Sequence, residues 1–216
     1  MSTRPTTREM IESRLGRVEF TLMLSMTMAC VALAIDAILP AFGALRDGFG
    51  LAPDSNDVAA VITFFFFGLA AGQLVWGPLS DAFGRKPILY CGLAVYTVAA
   101  IASALAPSLG FVFVSRFIWG FGAAGPQVVM RSVVRDAYQG AAMARAMSFI
   151  MAVFIVVPIL APSIGAVILS FGDWPWVFVF TALFGIGIAV WTLRLPETLD
   201  IDDRIPFRVE RLTKAA

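Results

Sequence analysis

Gly77-Pro78-Leu79-Ser80-Asp81-Ala82-Phe83-Gly84-Arg85-Lys86 is a short polar stretch held between two long apolar runs, about residues 58–77 and 88–106. Each run approaches the roughly 20 mostly apolar residues that a membrane-spanning helix needs. A decapeptide between two such runs reads as a reversal of the chain at a membrane surface. Its glycines and proline predict a tight turn, and Asp81, Arg85 and Lys86 concentrate charge there. Cations at a membrane turn hold the topology of the helices around it. That accounts for Arg85 and Lys86, but not for Asp81 or for the spacing of Gly77 and Gly84.

Working outward, four more apolar runs appear, at about 20–43, 109–130, 146–170 and 175–193. None alternates apolar and polar residues as the strands of a membrane β-barrel do, and a lipid-embedded backbone must satisfy its own hydrogen bonds. The expectation is an all-α membrane protein of six transmembrane helices. Residues 1–19 are read as a cytoplasmic N-terminal segment, 20–195 as the bundle and 196–216 as a cytoplasmic tail. The first run is longer than the 7–15 residues of a signal-peptide core and lacks a small-residue cleavage pattern, so it is read as a retained first helix.

Composition agrees. The chain has 216 residues, 59% hydrophobic and 14% charged, against about 45–50% and about 25% for soluble domains. The net charge of +1 gives no electrostatic reason to expect a nucleic-acid partner. Cys30 and Cys91 lie in apolar runs and read as small apolar residues. With no histidine in the sequence, a metal site is not expected.

Positive charge sets the orientation. With the N-terminus in the cytoplasm, the inner segments hold Arg4, Arg8, Arg14, Arg17, Arg85, Lys86, Arg131, Arg135, Arg145, Arg194, Arg204, Arg208, Arg211 and Lys214, and the outer loops hold only Arg46. Both termini are therefore expected in the cytoplasm, and the expected location is a bacterial inner membrane. The outer segment 44–57 is the longest outer connection.

Ionisable residues deep in a span are costly and mark a cavity or a partner. Asp36 lies about six residues, or ~9 Å, inside the expected outer end of span 1. Arg116 lies about seven residues, or ~10 Å, below the same surface in span 4. At similar depth, the two either pair across the helices or line one aqueous cavity as a substrate or proton-coupling site. Gln73, a lone polar residue in span 2, lines the path or bonds a neighbouring helix. Gly68 with Gly72, and the stripe Gly120, Gly122, Ala123, Ala124 and Gly125, are small surfaces that let helices approach closely. Pro126, Pro158 and Pro162 are expected to interrupt spans 4 and 5.

Residues 77–86 also resemble the signature G-x-L-[AS]-D-x-x-G-R-[KR] of the major facilitator superfamily, which lies between spans 2 and 3. Other segments fit the same family. Arg116 with Gly120 resembles its R-x-x-x-G of helix 4. Asp36-Ala37-Ile38-Leu39-Pro40 resembles the D-x-x-x-P of drug antiporters. Ala161-Pro162-Ser163-Ile164-Gly165-Ala166 is similar to G-P-x-x-G-G of helix 5, with departures at Ala161 and Ala166. Arg131 to Asp136, Asp173-Trp174 and Leu195-Pro196-Glu197-Thr198 are similar to the Bcr/CflA branch of drug-resistance transporters.

The resemblance implies the N-terminal six-helix bundle of the major facilitator fold, a 3+3 inverted repeat. It implies no enzyme and no cofactor, with a proton gradient as driving force and a small-molecule substrate. It places Asp36, Arg116 and Gln73 at the cavity. Gly77, Asp81, Gly84, Arg85 and Lys86 fall in a cytoplasmic gate, and Gly120, Pro158, Pro162 and Gly165 are packing or bending positions. The family has about twelve helices, so three readings stand: a piece of a longer transporter whose C-terminal half is missing here, a half that pairs with a second copy or with a separate half, or a six-helix protein of another role. A carrier of a metabolite or sugar is the rival to a drug transporter.

Overall fold

The computed structural model describes residues 7–205. The helices are α1 (Thr7–Arg14), α2 (Arg17–Asp36), α3 (Phe42–Gly48), α4 (Ala60–Phe83), α5 (Arg85–Ala104), α6 (Leu109–Ala137), α7 (Gly140–Phe171) and α8 (Pro175–Trp191). Among the described residues, six helical stretches are long and apolar enough to cross a membrane, α2 and α3 forming one of them from Arg17 to Gly48. The chain is thus a multi-pass membrane protein. Arg194 at the end of the last span reaches Glu19 in the first turn of α2, so the first span begins and the last span ends on one side of the bundle, called the terminal side here. Of the cations used for orientation, Arg4, Arg208, Arg211, Lys214 and the side chain of Arg8 lie outside the described residues.

Helix α6 is the axis. Its small stripe is buried on both flanks, against α4 and against α5. A Cβ on Gly68 or Gly120 would run into the backbone of the opposing helix, and one on Gly92 would lie 2.7 Å from Pro126 Cδ. Backbone contact this close is reached only where side chains are absent. By contrast α7, 32 residues long, buries only Ile150, Ala161 and Gly165. It leans on α2 and presents a broad apolar face outward.

Three expectations are corrected. First, Gly77 to Phe83 is not a turn but the last part of α4, and Pro78 sits inside that helix. The reversal is made at Gly84 alone, with φ 101° and ψ 161°, a conformation open to glycine because it lacks a Cβ. Apolarity marks where lipid begins and ends, whereas a helix continues while its backbone groups are bonded and its end is capped. For the same reason α6 runs on to Ala137 and α7 starts at Gly140.

Second, Pro126, Pro158 and Pro162 leave α6 and α7 as continuous helices. Each proline removes one backbone bond, and neighbouring helices hold the flanking turns together.

Third, the first span does not end near Phe42 with Asp36 embedded in a regular helix. Asp36 is the last residue of α2, a 3₁₀ turn spans Leu39–Ala41, and α3 carries the chain to Gly48. Pro40 lies in that turn and disfavours a regular helix through it. It has no N–H for the Asp36 carbonyl four residues back, and its ring collides with that carbonyl. The outer connection shrinks accordingly, and Arg46, inside α3, donates from Nε to Ser55 O at 2.9 Å.

Candidate functional site

The break in the first span organises the side of the bundle away from the termini. A helix end leaves its last carbonyls without intrahelical donors. At the end of α2 the Leu33 carbonyl is taken by the Ala37 amide at 3.1 Å. The Ala34 carbonyl accepts from Arg116 Nη1 at 2.8 Å. Arg116 Nε donates to Val61 O at the start of α4, at 3.2 Å. One guanidinium therefore joins three helices through main-chain oxygens, with its positive charge at the negative end of α2.

Arg116 is fully buried. Its guanidinium carbon lies 4.9 Å from the ring centroids of Phe65 and Trp119 and 5.8 Å from that of Phe178. These rings come from α4, α6 and α8. Trp119 also meets Tyr96 of α5 edge-on at 5.5 Å, and Tyr96 Oη donates to Cys30 O at 3.2 Å. Desolvating a cation is expensive unless it is paired. Here carbonyl dipoles and ring faces take the place of a carboxylate, while Nη2 has no hydrogen-bond partner among the described residues.

Asp36 and Arg116 are not joined in an ion pair. The Asp36 carboxylate is half-buried and has no hydrogen-bond partner among the described residues. The arginine holds the helix end that presents Asp36. Gly165 of α7 packs directly on this break, and a Cβ there would strike the Ala37 carbonyl and lie 3.1 Å from Pro40 Cγ. The D-x-x-x-P segment and the helix 5 segment, read separately in the sequence, are two sides of one contact. Pro162 and Pro158 lie about one and two turns before it on α7.

On the terminal side a second cluster forms around Arg85, the first residue of α5. Its Nη1 donates to Asp81 Oδ1 and, at 2.8 Å, to Ser80 Oγ. Its Nε donates to Asp136 Oδ2 at 3.1 Å, at the end of α6. Asp136 also accepts from Thr198 Oγ1 at 3.0 Å. The Glu197 carboxylate accepts from the amides of Arg85 and Lys86, at 2.8 and 3.0 Å. It caps the uncompensated N–H groups that open α5, where an anion is favoured. Gly84 is pressed against this carboxylate, because a Cβ would sit 2.8 Å from Glu197 Oε2. Lys86 Nζ donates to Leu193 O at 3.0 Å, and Ile205 N to Asp81 O at 3.0 Å. The segment after the last span is folded onto the turn.

The structure thus gathers Asp81, Gly84, Arg85 and Lys86 into one network. Gly77 stays on α4, with Val128 Cγ1 3.9 Å from where its Cβ would be. Ser80, Asp136, Glu197 and Thr198 complete the network without having been picked out as site residues. The sequence offered the last three only as family likenesses. Gln73 Nε2 donates to Gln127 Oε1 at 3.0 Å, tying α4 to α6, while remaining exposed on its other side. Gly120 serves the α4–α6 contact.

Comparison with known proteins follows the same lines. The profile described as Major Facilitator Superfamily matches residues 24–206. A bicyclomycin resistance protein homolog of Haemophilus influenzae is 33% identical over 90% of this chain and 49% of its own length. An uncharacterized MFS-type transporter of Bacillus subtilis is 34% identical over 88% of this chain and 48% of its own. A multidrug resistance protein of Klebsiella pneumoniae is 31% identical over 58% of this chain and 32% of its own. Among solved structures, the human organic anion transporter MFSD10 superposes with a TM-score of 0.66 at 22% identity, over 90% of this chain and 50% of that one. A peptide transporter does so with a TM-score of 0.69 at 18% identity, over 91% and 42%. The chain spans about half the length of the first curated relatives it matches. A six-helix bundle built on these two clusters, with a profile match across nearly all of it, places the chain in the major facilitator superfamily, a family of non-enzymatic carriers.

Proposed function

We propose that this bundle is one half of a secondary active transporter that exports small, largely apolar compounds by alternating access, driven by the proton gradient. The observation that carries the reading is the half-buried, unpartnered carboxylate of Asp36 at a helix break that Arg116 holds by a main-chain bond. A carboxylate so placed can gain and lose a proton without breaking an ion pair. The printed names of the bicyclomycin and multidrug resistance relatives support drug-like cargo. In this reading the terminal side faces the cytoplasm of a bacterial inner membrane, as the distribution of positive residues favours. The Arg85 network is the cytoplasmic gate. A second six-helix half, or a second copy, covers part of the apolar face of α7, where Ile155 and Ile159 are 62% and 68% exposed.

The test uses cells lacking their major efflux pumps. Expression of the chain should lower accumulation of dyes and antibiotics if two copies build one cavity, and the protein should then be a dimer in mild detergent. If the partner is a separate half, the effect should appear when the bundle is joined to a C-terminal six-helix half. In that active form Asp36→Asn should abolish export. Unchanged export at normal expression would overturn the role of Asp36.

A further inference from the structure

We infer that the groove between the starts of α2 and α7 binds the headgroup of an anionic phospholipid. The groove encloses about 270 Å³ and is lined by Arg17, Val18 and Thr21 of α2, Tyr138 of the α6–α7 connection, and Arg145 and Phe149 of α7. It lies on the terminal side, where the first and fifth spans begin, at Arg17 and Gly140.

Its two cations are uncompensated. Two other arginines on this side are matched, Arg85 by Asp81 and Asp136 and Arg194 by Glu19, and Arg131 and Arg135, in no ion pair among the described residues, do not line the groove. Neither Arg17 nor Arg145 is in an ion pair among the described residues. Arg145 donates only to Ala141 O of its own helix, at 3.3 Å. Glu19, two residues from Arg17, is already engaged by Arg194 and by Trp191 Nε1. The helices α2 and α7 both begin beside the groove without a side-chain cap, so the partial positive charge of two helix starts adds to the two guanidinia.

The rest of the groove is apolar. Val18 is 71% exposed and Phe149 52% exposed, directly beside the unpaired charges. A phosphodiester joined to acyl chains offers an anion and an apolar body at that same spacing, and basic pockets between spans at this level suit such headgroups. Free phosphate would engage the arginines and leave Val18 and Phe149 bare. The site is independent of what the bundle transports.

The 216-residue chain, released from nanodiscs of mixed phosphatidylethanolamine and phosphatidylglycerol into native mass spectrometry, should retain phosphatidylglycerol preferentially. The Arg17→Gln/Arg145→Gln variant should lose that preference by roughly thirtyfold, from two cations near the membrane surface. Arg17→Lys/Arg145→Lys should restore it. As a control on the same side, Arg131→Gln/Arg135→Gln should keep it, and circular dichroism should show all variants equally helical. Equal retention of both lipids by the native chain would overturn the site. So would an equal loss in the Arg131/Arg135 variant, or displacement of the lipid by millimolar inorganic phosphate. A glutamine variant that loses helicity is replaced by Phe149→Ser with both arginines intact, which must lower retention for the site to stand.

Discussion

Arg116 Nη1 and the carbonyl oxygen of Ala34 are 2.8 Å apart, so a side chain of the fourth span caps the broken end of the first. The capped oxygen lies two residues before Asp36. The arginine is a positioning residue for that carboxylate, and its effect should be measurable without any transport.

Replacing Arg116 by Ala empties a space walled by Phe65, Trp119 and Phe178 and frees two buried carbonyls. The expected loss is about 2–5 kcal/mol, the range for large-to-small core changes, read as a lower unfolding midpoint in mild detergent. Arg116→Lys, a point charge without the planar fork, should fall between. An unchanged midpoint for Arg116→Ala would show that the bonds to Ala34 and Val61 contribute nothing.

Glu197→Gln tests the cap on α5. The amides of Arg85 and Lys86 lose a charged acceptor, worth about 1 kcal/mol at a helix N-terminus. The segment 197–205 should then detach from the Asp81 turn, and limited proteolysis should cut it faster. Cleavage at the native rate would mean that Thr198 and Ile205 hold the segment by themselves.

Gly84→Ala should destabilise twice over. An L side chain at φ 101° is strained by roughly 1–3 kcal/mol, and its Cβ would press on Glu197. Combined with Glu197→Gly, the part due to Glu197 should disappear, while the strain and the 2.9 Å approach to Arg204 Nη2 should remain. Fully additive losses in that double variant would remove the contact from the account.

The two faces of the glycines separate cleanly. Gly120→Val should prevent α4 and α6 from meeting, because even a Cβ there strikes the Phe65 backbone, whereas nothing lies within 4 Å of a Cβ at Gly187 on α8. Gly187→Ala should therefore be tolerated, or raise stability by up to about 1 kcal/mol through helix propensity. Expression and monodispersity in detergent report both. Normal behaviour of Gly120→Val would refute the close contact.

A bonding prediction concerns Gln73 and Gln127. A double-mutant cycle with Ala at each should return a coupling of about 0.6 kcal/mol, the average for polar pairs between membrane helices. Zero coupling would remove the helix-bonding role and leave Gln73 as a residue lining the path.

Six spans were legible in the sequence because the bilayer imposes its thickness on any chain that crosses it, and apolar run length records that thickness directly. That the chain reverses between these two spans was legible from Gly84 and the charges beside it, but that Gly77 to Phe83 continue α4 was not, because apolarity marks the lipid boundary and not the helix end. The break at Asp36 was half legible: Pro40 was visible, but its collision with the carbonyl four residues earlier went unread. What Arg116 bonds to could not be read at all. Its partners, Ala34 and Val61, contribute main-chain oxygens, which every residue carries, so no side-chain identity announces them. Glu197 in its capping role is the same case in reverse, a carboxylate whose targets are the amides of Arg85 and Lys86, 112 and 111 residues away along the chain. The sequence by itself determined how many helices cross the membrane and where charge gathers. Only the tertiary structure decided which backbone groups that charge would serve, because helix ends and their orphaned bonds are brought to a distant side chain by packing alone.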